Sequence, residues 1–146
     1  MAKVIFMSED DPLMSRMYER AFKNAGYDLE MASDGVAAIE KLTNMSELPT
    51  LIILDIMMPK KNGFDVLAEI KLNEKTKSIP VVMLTNLAGE ADAERALSLG
   101  AVLYLVKSQY DPKQIVDKIK EILSATTRAS DVPKVAVEVK DINTGK

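Results

Sequence analysis

The sequence predicts an α/β protein built on a doubly wound, five-stranded parallel sheet with five helices. Three observations carry this. Short strand-like runs alternate with stretches of helical periodicity five times between Lys3 and Ser124, the pattern of consecutive βα units with right-handed crossovers. Three of the five runs are almost continuously apolar, as central strands covered on both faces should be. Polar and charged residues then follow the runs directly: Glu9, Asp10 and Asp11 after the first, Asp55 after the third, Thr85 and Asn86 after the fourth, Lys107 after the fifth. Residues so placed gather at the carboxyl edge of the sheet, where open α/β folds bind their ligands.

Each element has its own signal. Residues 3–8 (KVIFMS) form the first strand. Residues 12–25 place Leu13, Met17, Ala21 and Ala25 about four apart, with Met14, Tyr18 and Phe22 alongside, which predicts a helix stopped by Gly26 at its C′ position. Residues 27–32 are a second, weaker strand. Asp34-Gly35 turns the chain into a helix with Val36, Ile39, Leu42 and Met45 on one face, capped by Ser33 or Asp34. Residues 51–54 (LIIL) form a strand buried on both faces. Residues 64–72 form a helix with Leu67 and Ile70 inward. Residues 79–84 form the fourth strand, where Pro80 is compatible only with the start. Residues 88–99 form an Ala-rich helix ended by Gly100, and its thin apolar stripe predicts weak anchorage. Residues 101–106 form the fifth strand. Residues 111–124 form the fifth helix, with Asp111 as cap, Pro112 in the first position and Ile115, Ile119 and Ile122 inward. The pattern then changes. Residues 125–130 read as a linker, and 134–140 alternate apolar and polar with period two, which suits one additional strand or disorder equally. The expected organisation is one domain over 1–124 and a tail, linker or additional strand over 125–146.

Composition narrows the chemistry. A chain of 146 residues has room for one domain with a real core. Its apolar share of 47% and charged share of 28% are ordinary for a soluble globular chain. The net charge of −3 argues against a nucleic-acid surface. No apolar run approaches a membrane span, and Met1-Ala2-Lys3-Val4 does not open a signal peptide, so a cytoplasmic chain is expected. The chain contains neither Cys nor His. That excludes disulfides, thiol catalysis, most zinc sites and a histidine relay within the chain. Carboxylates, hydroxyls and lysine remain.

Asp55 is the most informative of these. Four apolar residues run straight into its carboxylate, and Pro59, Asn62 and Gly63 turn the chain just beyond. A charge at a buried strand end needs a partner or a purpose, and metal ligand, general base and nucleophile are the choices. Carboxylates gathered in one crevice repel unless a cation joins them, and Mg2+ suits an all-oxygen site. Asp55, ionised at neutral pH because a free Asp titrates near about 3.9, is competent to attack phosphorus. Lys107 and the metal would neutralise the transferred phosphoryl group, and Thr85 would hydrogen-bond it. Taken singly, Thr85 is an ordinary strand-end hydroxyl and Lys107 an ordinary surface lysine. Asp11, just before Pro12, is better placed to cap the first helix than to bind metal.

The chain resembles a response-regulator receiver domain of two-component signalling, chemotaxis-regulator-like, over roughly residues 3–124. The likeness rests on Glu9-Asp10-Asp11-Pro12, on Asp55 with Met57-Met58-Pro59 and Gly63, on Thr85, and on Gly100-Ala101 followed by Tyr104 and Lys107. It implies the flavodoxin-like strand order 2-1-3-4-5. It implies Asp55 as phosphoacceptor, assisted by Thr85 and Lys107, and Glu9, Asp10, Asp55 and the Met57 carbonyl around Mg2+. It implies Thr85 and Tyr104 as the switch, acting on the face of the fourth helix, fifth strand and fifth helix. A histidine kinase or histidine phosphotransfer protein would donate the phosphoryl group, and the output would be partner binding or dimerisation. Such a domain is a phosphoacceptor, not an enzyme beyond its own phosphorylation and slow autodephosphorylation.

Four residues depart from the pattern or colour it. Ser108 follows Lys107 where the family has a cis proline; a cis bond to a non-proline costs about 2.5–4 kcal/mol, so a trans or strained turn is expected. Asn86 is larger and more polar than usual, and either narrows the site or contacts the phosphoryl group. Met57 and Leu87 put apolar bulk where water would attack, which predicts a long-lived phosphorylated state. Two alternatives stay open. Ser108 and Asn86 keep alive a receiver-like binding module that works without phosphorylation. A haloacid-dehalogenase-type phosphohydrolase also uses an Asp nucleophile, but it typically carries Asp-x-Asp after the first strand and a cap insertion, which this sequence lacks.

Overall fold

The computed structural model describes residues 3–125 and 136–138. In chain order these form β1 (Val4–Ser8), α1 (Pro12–Asn24), β2 (Asp28–Ala32), α2 (Gly35–Asn44), β3 (Leu51–Leu54), α3 (Gly63–Leu72), β4 (Val81–Thr85), α4 (Glu90–Ser98), β5 (Leu103–Val106), α5 (Pro112–Ala125) and β6 (Ala136–Glu138). Every pairing is parallel and the order is β2-β1-β3-β4-β5-β6. The five expected strands therefore stand in the order 2-1-3-4-5. Of the two outcomes left open for residues 134–140, a strand is present at Ala136–Glu138, beside β5; the rest of that segment lies outside the described residues.

Side chains alternate across the sheet, as a two-residue period requires. Phe6, Ile52, Leu54, Val81, Met83 and Tyr104 face one side, where Ala38, Leu42, Val66, Leu67, Ile70, Ala93 and Ala96 of α2, α3 and α4 cover them. Ile5, Met7, Ile53, Val82, Leu84, Leu103 and Leu105 face the other, under Tyr18 and Phe22 of α1 and Ile115, Val116, Ile119 and Ile122 of α5. Because β3 and β4 are buried on both faces, they read as unbroken apolar runs. β2, at an edge, keeps Asp28 and Glu30 exposed.

The caps are where the sequence places them. Asp11 accepts from the Leu13 and Met14 N–H groups and Asp34 from that of Ala37. Asp111 Oδ1 accepts from Gln114 N at 2.8 Å while Gln114 Oε1 accepts from Asp111 N at 2.9 Å, a reciprocal capping pair. Gly26 follows α1 with φ +93°, a conformation that glycine adopts without strain. Among the described residues no helix is long and apolar enough to cross a membrane.

Two helix faces differ from expectation. In α1 the buried pair is Tyr18 and Phe22, while Leu13 and Met17 are exposed and line an open groove between α1 and α5. In α2 Ala38 and Leu42 are buried and Val36 is exposed. In each helix the residues with an apolar character span more than one face, and the sheet selects the stripe that reaches it. α4 buries only Ala93 and Ala96, in keeping with its thin stripe; the guanidinium of Arg95 stacks 4.1 Å over the Phe64 ring and ties it to α3.

Candidate functional site

β1, β3, β4 and β5 are neighbours, so the residues that follow them share one edge. Asp55 leaves β3 only 5% exposed. Its N–H donates to the Ser8 carbonyl of β1 at 3.3 Å. Its Oδ1 accepts from Met57 N at 3.1 Å, and its Oδ2 accepts from Lys107 Nζ at 2.7 Å. The turn that follows is close-packed: Gly63 N donates to the Ile56 carbonyl at 2.9 Å, and a Cβ at Gly63 would stand 2.2 Å from the Asp55 carbonyl oxygen. Only glycine fits there, which is the physical reason for Gly63 eight positions beyond Asp55.

Glu9 is 3% exposed and uses both carboxylate oxygens. Oε1 lies 2.6 Å from Lys107 Nζ, and Oε2 accepts from Asp11 N at 3.0 Å. Lys107 thus bridges two buried carboxylates. Burial alone would lower its pKa, but hydrogen bonds to and the charges of Asp55 and Glu9 outweigh that and hold it above the ordinary lysine value. The exposed Asp10 completes the group: one oxygen each from Glu9, Asp10 and Asp55 lies within 4.8 Å of the others. Oxygen-only donors so close together suit a hard divalent cation that keeps part of its water shell. The Met57 N–H bond to Asp55 keeps the Met57 main chain beside that carboxylate. Asp11 is engaged as the α1 cap and is not one of the three.

Thr85 ends β4 fully buried, and its Oγ1 accepts from Leu87 N at 3.3 Å. The buried Tyr104 of β5 donates its hydroxyl to the Leu87 carbonyl at 2.7 Å. Leu87 is therefore gripped at both main-chain groups by the two expected switch residues. No residue-type signal marks such a contact, because it is made by backbone. Two more neighbours were not foreseen. Ser8 donates its hydroxyl to Met58 sulfur at 2.7 Å beneath the site, and the charges of Lys107, Glu9 and Asp55 all act on the buried Tyr18 hydroxyl.

No peptide bond among the described residues is cis, so Lys107–Ser108 is trans; Lys107–Gln109 forms a 3-10 turn. Asn86 is exposed, Leu87 is half-buried and Met57 is 58% exposed. Lys60 holds φ 69° and lies 3.6 Å from Asp34, and Lys61 pairs with Glu69.

Residues 5–120 match the response regulator receiver domain family. The chain belongs to this family. Among curated relatives the chain is 33% identical over 141 residues to the DNA-binding dual master transcriptional regulator RpaA of Synechocystis sp., covering 97% of this chain and 56% of that protein. It is 40% identical over 114 residues to the response regulator Rcp1 of Synechocystis sp., covering 73% of this chain and 78% of that one. The chain spans about half the length of the first curated relatives it matches. Among solved structures it resembles the phosphorylated cyanobacterial phytochrome response regulator RcpA, with TM-score 0.77, 32% identity, and coverage of 88% and 98% of the two chains. The Mn(2+)-bound form of Rcp1 is similarly close, with TM-score 0.76, 36% identity, and coverage of 90% and 99%. The chain is thus a receiver domain of two-component signalling, with an acidic cluster whose three carboxylates could hold a metal ion.

Proposed function

We propose that Asp55 is the phosphoacceptor of a phosphorelay and that Glu9, Asp10, Asp55 and the Met57 carbonyl hold the Mg2+ that this transfer needs. The observation that carries the reading is the Lys107 ammonium, 2.7 Å from Asp55 and 2.6 Å from Glu9. A buried carboxylate already paired with one cation, beside two more acids that would hold a second, is prepared for an incoming dianion once that second cation is bound. The Asp55 oxygen attacks the donor's phosphorus, the new P–O bond forms, and the bond to the donor's leaving group breaks with its electron pair. Lys107 Nζ moves from carboxylate to phosphoryl oxygen and neutralises it. A bound Mg2+ would neutralise further charge on the same phosphoryl group. The Thr85 hydroxyl, an acceptor from Leu87 N in this state, has its own proton to donate to the phosphoryl group. Its movement would release Leu87, and Tyr104 with it, which links the acidic site to the face formed by α4, β5 and α5.

The phosphoryl donor is a histidine kinase or histidine phosphotransfer protein in the cytoplasm, and the output is binding of a protein partner or dimerisation. The phosphorylated form of RcpA and the Mn(2+)-bound form of Rcp1 among the similar structures support both halves of the reading. Intact mass after incubation with a small phosphodonor and Mg2+ tests it. Gain of one phosphoryl group, abolished by Asp55→Ala and by chelation, is expected. No gain with any donor would leave a binding module that works without phosphorylation, and steady turnover of a phosphomonoester would make the protein a hydrolase.

A further inference from the structure

The two edges of the five-stranded core are protected in different ways. β2 carries exposed Asp28 and Glu30, charges that discourage another strand from pairing. β5, Leu103–Val106, has no charge and is buried at all four positions. β4 pairs with one side of it along its whole length. The other side would present unpaired N–H and C=O groups on a wholly apolar strand, a template for strand addition. β6 fills it: Ala136 pairs with Leu103, Val137 with Tyr104 and Glu138 with Leu105, all parallel.

We propose that the outer edge of β5 is a strand-binding site, that this chain's own segment Ala136–Glu138 occupies it, and that the segment is displaceable by an extended strand of the same kind. Topology favours the intramolecular partner. α5 returns the chain from the end of β5, and residues 126–135 bridge Ala125 to Ala136, so β6 completes one more parallel βα unit. The sequence suits the role, because 134–140 read Lys-Val-Ala-Val-Glu-Val-Lys, β-branched and alternating. The hold is slight. Three residues form few ladder hydrogen bonds, each of small net value, against the entropy of ordering the segment. An element so balanced opens far more readily than the central sheet. Its departure would expose the main chain of the strand that carries Tyr104 and leads to Lys107, so the site is a natural docking edge for an extended peptide. Nothing here depends on phosphorylation of Asp55.

The test uses the full chain and Val137→Pro, which removes an N–H and disfavours the strand. Amide hydrogen exchange in the variant should be at least about tenfold faster at the β5 amides that face β6, with the β5 amides that face β4 and the β1, β3 and β4 amides unchanged. A synthetic Lys-Val-Ala-Val-Glu-Val-Lys peptide should restore protection in the variant, and a scrambled peptide should not. Glu138→Pro provides a second variant if the first fails to fold. Equal β5 exchange in wild type and both variants, or equal rescue by the scrambled peptide, would overturn the proposal. Wild-type protection that rises with protein concentration alongside a dimer in sedimentation would refute the intramolecular assignment, since the strand would then come from a second copy.

Discussion

Lys107 is the residue whose loss the site can least absorb. Its ammonium is the charge partner of two carboxylates whose side chains are 6% and 2% exposed, while its own is 11% exposed. Removing one member of a buried ion group leaves the others uncompensated, at about 3–5 kcal/mol. Lys107→Met should therefore lower stability by roughly that amount in the absence of divalent ions. The same change removes a positive charge from beside Glu9 and Asp55, the carboxylates that with Asp10 would hold a cation. Mg2+ should thus stabilise the variant more than the wild type, since a ligand of the folded state stabilises in proportion to its affinity. Thermal unfolding with and without Mg2+ reads both effects, and an equal Mg2+ increment in the two proteins would contradict the shared site. The residues on which this depends were legible in the sequence, because Glu9, Asp10, Asp55 and Lys107 each follow a strand, Thr85 ends one, and all differ sharply from the apolar run before them. Leu87 was not legible in its observed role: its N–H and carbonyl, not its side chain, join Thr85 to Tyr104.

At the scale of one element, α1 separates what periodicity decides from what it leaves open. Leu13 and Met17 and the parallel row Met14, Tyr18 and Phe22 repeat every four residues and lie about a hundred degrees apart around the helix. Both rows are apolar, so spacing alone does not say which one meets the sheet. The large aromatic pair takes the interior, with Phe22 fully buried and edge-on to Tyr27 at 6.0 Å between ring centroids. Leu13 is left 65% exposed. Phe22→Ala should then cost about 3–5 kcal/mol, as large aromatic deletions in a core do. Leu13→Ala should change stability by no more than about 0.5 kcal/mol. Denaturant titration distinguishes the two, and comparable losses would mean that the Leu13 row is the packed one. Strands behaved differently. β3 lies at residues 51–54, as its apolar run predicts, because a strand buried on both faces has no second face to confuse. The tail stayed ambiguous because the alternation at 134–140 is one short run after a polar stretch, and a run of that length does not say whether it finds a strand to pair with.

For the whole molecule, the two-sided core predicts how the fold fails in alkali. Tyr18 is 1% exposed between α1 and the sheet, and burial, partly offset by the positive charge of Lys107, pushes its phenol from an ordinary value of 10.0 up to about 12. Burial pushes Tyr104, on the opposite face, upward as well. Lys107 is also raised, with hydrogen bonds to and charges of Asp55 and Glu9 outweighing its burial. All three act with one sign. Above pH 10 the unfolded chain releases these protons while the folded chain keeps them, so the unfolded state binds fewer and stability falls as pH rises. The stabilisation is fully present below the unfolded values and is lost as pH climbs through the folded ones. For Tyr18 the shift corresponds to roughly 3 kcal/mol, lost across pH 10 to 12. Tyr18→Phe keeps the ring's packing and removes the ionisation, so its alkaline unfolding midpoint should move to higher pH while its stability at neutral pH changes little. Following unfolding by circular dichroism and tyrosinate absorbance across that range measures both. An unchanged alkaline midpoint in Tyr18→Phe would mean that ionisation of this buried phenol does not open the fold, and would leave Tyr104 and Lys107 to account for the alkaline limb.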